Sequence, residues 1–318
     1  MAGELYEPAA GLDFRRTMSR VGIIYAAFLL AADGAVRLIW EALWAFLPPE
    51  AYDRVYYSDL AASLIGDGGL YLVGLPVLLA LLHWLLPDTA PAPRPLGGPR
   101  PFTERQFARL FLAGFALMLL GALIADDLGW FLEFLRGAAI PDPLEGAISG
   151  SVWGDFFFLC MAAPIGEEFL FRWLLYKKLA GFGETAYILT SGLMFGLFHG
   201  NFEQFFYATA LGWLLAWAVC RTGGMLWPVL LHALMNFTAG VLPSLLEMFE
   251  GGWRVYCGLE ALLAVLGALV LLGAARRQRP VPPPGPLPPS PGAAAVLNPG
   301  MLAFGGYCLY LWLTGILA

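Results

Sequence analysis

Two adjacent carboxylates and an arginine, Glu167, Glu168 and Arg172, stand inside a strongly apolar run at 152–176. Charge at membrane depth is costly, and where it occurs it usually faces a bundle interior and serves function. On a helix Glu168 and Arg172 are four residues apart, share a face and can neutralise each other. Glu167 points about 100° away from Glu168 and has no such local partner. Two of the three histidines, His199 and His232, lie in apolar runs downstream, and Asn236 follows His232 on the same helical face. A carboxylate, two imidazoles and a carboxamide in a dry cavity have complementary capacities: proton abstraction from water, polarisation of that water, and donation to a developing oxyanion. Such a set suits attack of water on an amide.

The elements that must hold these groups are membrane helices. Apolar residues make up 59% of the 318-residue chain and charged residues 13%, with a mean hydropathy of +0.69. Ordinary soluble domains hold about 45–50% and about 25%. Several apolar runs of about 20 residues predict an all-α, polytopic transmembrane helical bundle with about eight or nine membrane helices. The alternating pattern of an outer-membrane barrel is absent, and no basic stripe interleaved with aromatics points to nucleic acid. The net charge of -6 says little about partners, because in membrane proteins the distribution of positive charge matters more than the total. The four cysteines are scattered singly, without a CxxC pair, and read as small buried hydrophobes. The first apolar run, 21–47, is too long for the core of a cleavable signal.

Eight spans are expected, at 21–47, 69–86, 110–125, 152–176, 186–198, 205–220, 225–241 and 255–274, with 302–318 as a candidate ninth. In the first, Asp33, Arg37 and Glu41 are spaced to pair on one face. Residues 51–66 read as interfacial, 87–101 as an exposed Pro-rich linker, 130–136 as a short interfacial helix, and 280–291 as polyproline II. Three regions follow: N-terminal helices with a linker at 1–145, a core at 146–250, and C-terminal helices with a Pro-rich linker at 280–300. With the N-terminus cytoplasmic, Arg15 and Arg16, Arg94 and Arg100, Lys177 and Lys178, Arg221 and Arg276 all fall on the cytoplasmic side.

Glu167, Glu168 and Arg172, then Phe195 and His199, then His232 and Asn236 match the order and spacing of three motifs: Glu-Glu-x-x-x-Arg, Phe-x-x-x-His and His-x-x-x-Asn. In this the chain resembles the CPBP intramembrane proteases, which include the CAAX prenyl proteases and the bacteriocin-immunity (Abi) proteins. The resemblance covers 146–250. It implies an intramembrane endopeptidase in which Glu167 and His199 activate water, while His232 and Asn236 stabilise the oxyanion. Arg172 would be Glu168's partner and Phe195 a wall of the cavity. No cofactor is required by this reading. A divalent metal such as zinc could sit on Glu167, His199 and His232, but Asn236 is a poor zinc ligand and a metal-free mechanism uses all four groups. The implied partners are a membrane-associated protein or peptide and the lipid bilayer. Short loops rich in Pro, Ala and Gly suggest a prokaryotic cytoplasmic membrane.

Other readings are weaker. A silent scaffold or immunity protein of the same fold has no need to keep all four polar groups together. A transporter predicts inverted repeats, and none is found. There is no HExxH, Gly66-Asp67 lacks the preceding glycine of GxGD aspartyl enzymes, and Ser191-Gly192 lacks that of a rhomboid nucleophile. His83, outside every motif, reads as a helix-packing hydrogen-bonder, as do Asp155 and Glu260.

Overall fold

The computed structural model describes residues 12–141, 152–277 and 291–317. The described residues are helical, without strands: α1 (Phe14–Phe46), α2 (Pro49–Tyr56), α3 (59–85), α4 (Glu104–Arg136), α5 (152–179), α6 (Glu184–Phe198), α7 (Phe202–Thr222), α8 (226–247), α9 (Gly252–Arg277), α10 (Pro291–Val296) and α11 (Pro299–Leu317). Six of them, α1, α3, α4, α8, α9 and α11, are long and apolar enough to cross a bilayer. Large apolar side chains such as Leu72, Leu123 and Leu269 are at least 60% exposed on their outer faces. Lipid is the solvent that tolerates such a surface, and the protein is an integral membrane helical bundle.

The site-bearing helix α5 is not among the six, because every 18-residue window of it holds at least three charges. It is instead enclosed by its neighbours. α6 lies between α5 and α7, α7 packs on α4, and α8 lies against α4, α5 and α7. α1 joins α3 to α11 on the other side. One apolar core runs through Tyr25, Phe28, Phe171, Phe195 and Phe304, and a second through Phe115, Leu215 and Met235. Small residues let the helices approach. A Cβ on Gly212 would meet the Gly192 backbone at 2.7 Å, so α6 and α7 cross Gly on Gly. Gly212→Val is expected to force these helices apart and to lower the unfolding free energy by about 1–3 kcal/mol. Thermal unfolding in detergent reads this directly, and an unchanged midpoint would contradict the crossing.

Several boundaries differ from the sequence expectation. Residues 110–136 are not a span plus an interfacial helix. They belong to one 33-residue helix, Glu104–Arg136, opened by a Thr103–Gln106 capping box and closed by Gly137 at φ 73°. Asp126 and Asp127 do not break it, because at 1.5 Å per residue it reaches about 50 Å and outruns a bilayer core of about 30 Å. Residues 51–66 are likewise not one interfacial helix: α2 ends at Tyr56, and the remainder is the start of α3. Arg37 pairs with Asp33 at 3.0 Å rather than with Glu41, and the Tyr307 hydroxyl donates to the same Asp33 from α11. His83 is exposed rather than buried between helices. The linker boundary at 146 and most of 280–291 lie outside the described residues, while 291–296 within the expected C-terminal linker is helical.

The largest correction concerns 87–101, which is exposed, as expected, but tied down as a strap rather than free. Thr89 N–H donates to the Lys177 carbonyl at 2.7 Å, and Gly181 N–H donates to the Thr89 hydroxyl at 3.1 Å. Asp88 pairs with Lys177 at 2.9 Å and Lys178 at 2.7 Å, and Lys178 also donates to the Leu86 carbonyl. Further on, Arg94 N–H donates to the Gly223 carbonyl and Met225 N–H to the Arg94 carbonyl, each at 3.0 Å. The prolines that rule out helix here leave unsatisfied carbonyls and amides, and two helix ends absorb them. At Asp88, partial burial opposes ionisation, but the hydrogen bonds from Lys178 and Lys177 outweigh it and hold the carboxyl below its ordinary value. A carboxyl depressed in the folded state stabilises above its unfolded value of about 3.9 and loses that contribution as pH falls through the folded value. Limited proteolysis should therefore find the strap protected at neutral pH and loosened only below about pH 4. In Asp88→Asn that acid dependence should disappear; its persistence would place the acid-sensitive tie elsewhere.

Candidate active site

Helix α5 presents Glu167 and Glu168 at the end of one α-helical stretch, and a π-helical turn, Phe169–Leu174, begins at the next residue. Arg172 comes back over Glu168, its guanidinium nitrogen 3.1 Å from Glu168 Oε1, with both side chains wholly buried. The guanidinium carbon also lies 4.2 Å from the centre of the Phe195 ring. Its nitrogens find no aligned acceptor among the described residues, so charge and the ring face hold Arg172 in place.

Glu168 has a second partner. His232 Nδ1 lies 3.0 Å from the same Glu168 Oε1, while His232 Nε2 faces Glu167 Oε2 at 3.7 Å. Glu168 thus joins α8 to α5 and fixes the His232 tautomer: Nδ1–H donates to the carboxylate and Nε2 is turned into the site. The i,i+4 spacing to Arg172 hides this bridge, since a residue with a local partner appears already satisfied.

His199 closes α6 at its C-terminus. Its Nδ1 lies 2.8 Å from the Phe195 carbonyl, which directs Nε2 away from its own helix. Gly200, at φ 68°, makes the turn that follows, and Asn201 both donates to the His199 carbonyl at 3.0 Å and caps α7. His199 is within electrostatic reach of Glu167 and His232. Phe195 is only 1% exposed. It meets His199 and His232 edge-on, with centroids 4.9 and 5.7 Å apart, and so spaces the two imidazoles. Asn236 donates to the Leu159 carbonyl at 2.8 Å, a carbonyl within the π turn Phe158–Ala162 of α5. One amide hydrogen is thereby engaged, and the second remains for another acceptor.

The structure therefore gathers Glu167, Glu168, Arg172, Phe195, His199, His232 and Asn236 from three helices. Glu167 is the one carboxylate of the pair with an outlet, its side chain 16% exposed. An apolar cavity of about 470 Å³ lies beside the cluster, with Glu168 in its lining between Phe169 and Trp173 of α5, Leu226 and Val229 of α8, and Leu96 of the strap. Asp155 is buried and carries an interaction within the bundle. Among the described residues no group of three His, Cys, Asp or Glu is arranged to hold a metal ion. The Nδ1 contacts of His232 with Glu168 and of His199 with the Phe195 carbonyl leave each Nε2 for the site.

Residues 149–238 match the family model described as type II CAAX prenyl endopeptidase Rce1-like. The match supports assigning this segment to the CAAX protease family. The matched range contains every residue of the cluster and all of α6 and α7. No curated protein and no solved structure matches the chain. The matched segment thus carries the three site-bearing helices α5, α6 and α8 together with α7, and α1, α3, α4, α9 and α11 flank it.

Proposed function

We propose that this protein is an intramembrane endopeptidase that hydrolyses a peptide bond in a membrane-associated protein or peptide. The observation that carries the reading is the His232 ring strung between Glu168 and Glu167, with His199 within electrostatic reach of the same Glu167. Glu167 takes a proton from water, assisted by His199 Nε2, and the water oxygen bonds to the scissile carbonyl carbon. The carbonyl electrons move onto oxygen, where Asn236 N–H and, in its doubly protonated form, His232 Nε2–H donate to the oxyanion. The oxyanion then collapses, the C–N bond breaks, and the proton held by Glu167 passes to the leaving amine. Glu168 and Arg172 hold His232 at its place without touching the substrate. The N-terminus faces the cytoplasm of a prokaryotic cell, and the basic groups at Arg15, Arg94, Lys177 and Arg221 mark that side.

The test is cleavage of a panel of membrane-tethered peptides, prenylated and unprenylated, by purified full-length protein in lipid nanodiscs, with and without chelator. Cleavage that persists in chelator and is lost in His199→Ala and His232→Ala supports this mechanism. Cleavage lost in chelator would replace it with a metal-dependent one. Absence of cleavage across a panel that Glu167→Ala nonetheless captures by cross-linking would leave a silent scaffold as the better reading.

A further inference from the structure

Four π-helical stretches occur among the described residues, and three adjoin the site. Phe158–Ala162 supplies the Leu159 carbonyl that holds Asn236, Phe169–Leu174 follows Glu168 and contains Arg172, and Phe237–Val241 follows Asn236. A π turn adds a residue to one helical turn, re-aims the side chains around it, and is found disproportionately at functional sites. The fourth stretch, Gly69–Gly74, lies in α3, outside the matched family segment and in a helix that no motif touches. Its central side chain is Tyr71.

Tyr71 reaches the site by a close approach. A Cβ added to Gly166 would collide with the Tyr71 phenol oxygen and ring, so only glycine lets the ring lie against α5 at this point. Gly166 immediately precedes Glu167. The Tyr71 hydroxyl makes no hydrogen bond to a described residue, and Glu167 is the charged group that acts on it most strongly. Asp67, four residues earlier on α3, is also within electrostatic reach of Glu167. The groups around Glu167 are therefore His232 of α8, His199 of α6, and Asp67 and Tyr71 of α3, with Tyr71 contributing the one hydroxyl.

We propose that Tyr71 is a positioning residue for Glu167, its unpartnered O–H, packed against the preceding residue, turning to donate to that carboxylate and fixing which oxygen faces the attacking water. A carboxylate offers two equivalent oxygens and several lone pairs, and a half-buried one with a single 3.7 Å neighbour is free to rotate. An O–H···O⁻ hydrogen bond is short and directional, and engaging one oxygen leaves the other in a defined orientation. The π turn at Gly69–Gly74 carries Tyr71, and Gly166 admits its phenol against α5 one residue before Glu167. This assignment rests on Glu167 being the base of the proposed reaction, but its first test does not depend on cleavage.

The infrared carboxylate band of Glu167, identified by its loss in Glu167→Gln, is compared between wild type and Tyr71→Phe, both full-length in nanodiscs at one pH. A shift of that band in Tyr71→Phe at unchanged unfolding temperature supports the assignment; an unshifted band overturns it. On a cleaved peptide, Tyr71→Phe should lower kcat roughly tenfold with little change in KM, as expected for loss of one hydrogen bond to a charged group. A rise in KM with kcat unchanged would make Tyr71 a substrate contact and overturn the positioning role. If wild type cleaves nothing, the protease reading fails while the band still decides Tyr71.

Discussion

Glu167→Gln is expected to lower peptide cleavage by about 10²–10⁴-fold with the fold intact, because a neutral amide of the same shape cannot accept the proton of water. The effect on stability should be small. Glu167 is the carboxylate with an outlet, at 16% exposure, and its contact is with His232 at 3.7 Å rather than with Arg172. Removing its charge therefore leaves the buried Glu168–Arg172 pair and the His232–Glu168 contact in place. Single-turnover cleavage and thermal unfolding of the same preparation check both halves. Activity within threefold of wild type would remove Glu167 from the mechanism. Parallel losses of activity and stability would recast it as structural.

Arg172→Leu is expected to have the largest effect on stability, a loss of about 3–5 kcal/mol, because it leaves the buried Glu168 carboxylate without its cation. Both side chains are fully buried, so no water screens the remaining charge, and Phe195 also loses the guanidinium over its face. The double variant Glu168→Gln/Arg172→Leu should regain much of that stability, since removing both partners of a buried pair costs far less than removing one. Cleavage should not recover with it, because His232 Nδ1 would then face an amide in place of the carboxylate that fixes its tautomer. Chemical unfolding in mixed micelles reads the first effect and peptide cleavage the second. If Arg172→Leu unfolds at the wild-type midpoint, or the double variant is as unstable as the single, the pair does not neutralise itself as described.

These two outcomes separate Glu167, with its outlet, from Glu168, which is buried and shared by Arg172 and His232. Adjacency in sequence makes the two look interchangeable, and burial makes them different. A helix turns about 100° per residue, so Glu168 is wholly buried between Arg172 and His232 while Glu167 keeps an outlet.

What the sequence alone determined is local or periodic. Apolar runs long enough for a bilayer define a helical membrane bundle, because lipid leaves backbone polar groups no partner except their own helix. The four-residue spacings of Glu168 with Arg172 and His232 with Asn236 put each pair on one face, which needs only the helical repeat. What only the tertiary structure decided depends on groups far apart in the chain. The Glu168–His232 contact spans 64 residues. The strap from Thr89 to Lys177 spans 88, and the approach of Tyr71 to Gly166 likewise joins separate helices. A proline-rich segment shows no periodicity by which to tell a free linker from a tied one; its fate rests on whether helix ends elsewhere present carbonyls to its amides. π turns leave no mark in hydrophobic patterning either, since a one-residue insertion in a uniformly apolar run keeps it apolar. They arise where packing repays the widened turn, and here they adjoin the polar residues that the bundle had to bring together.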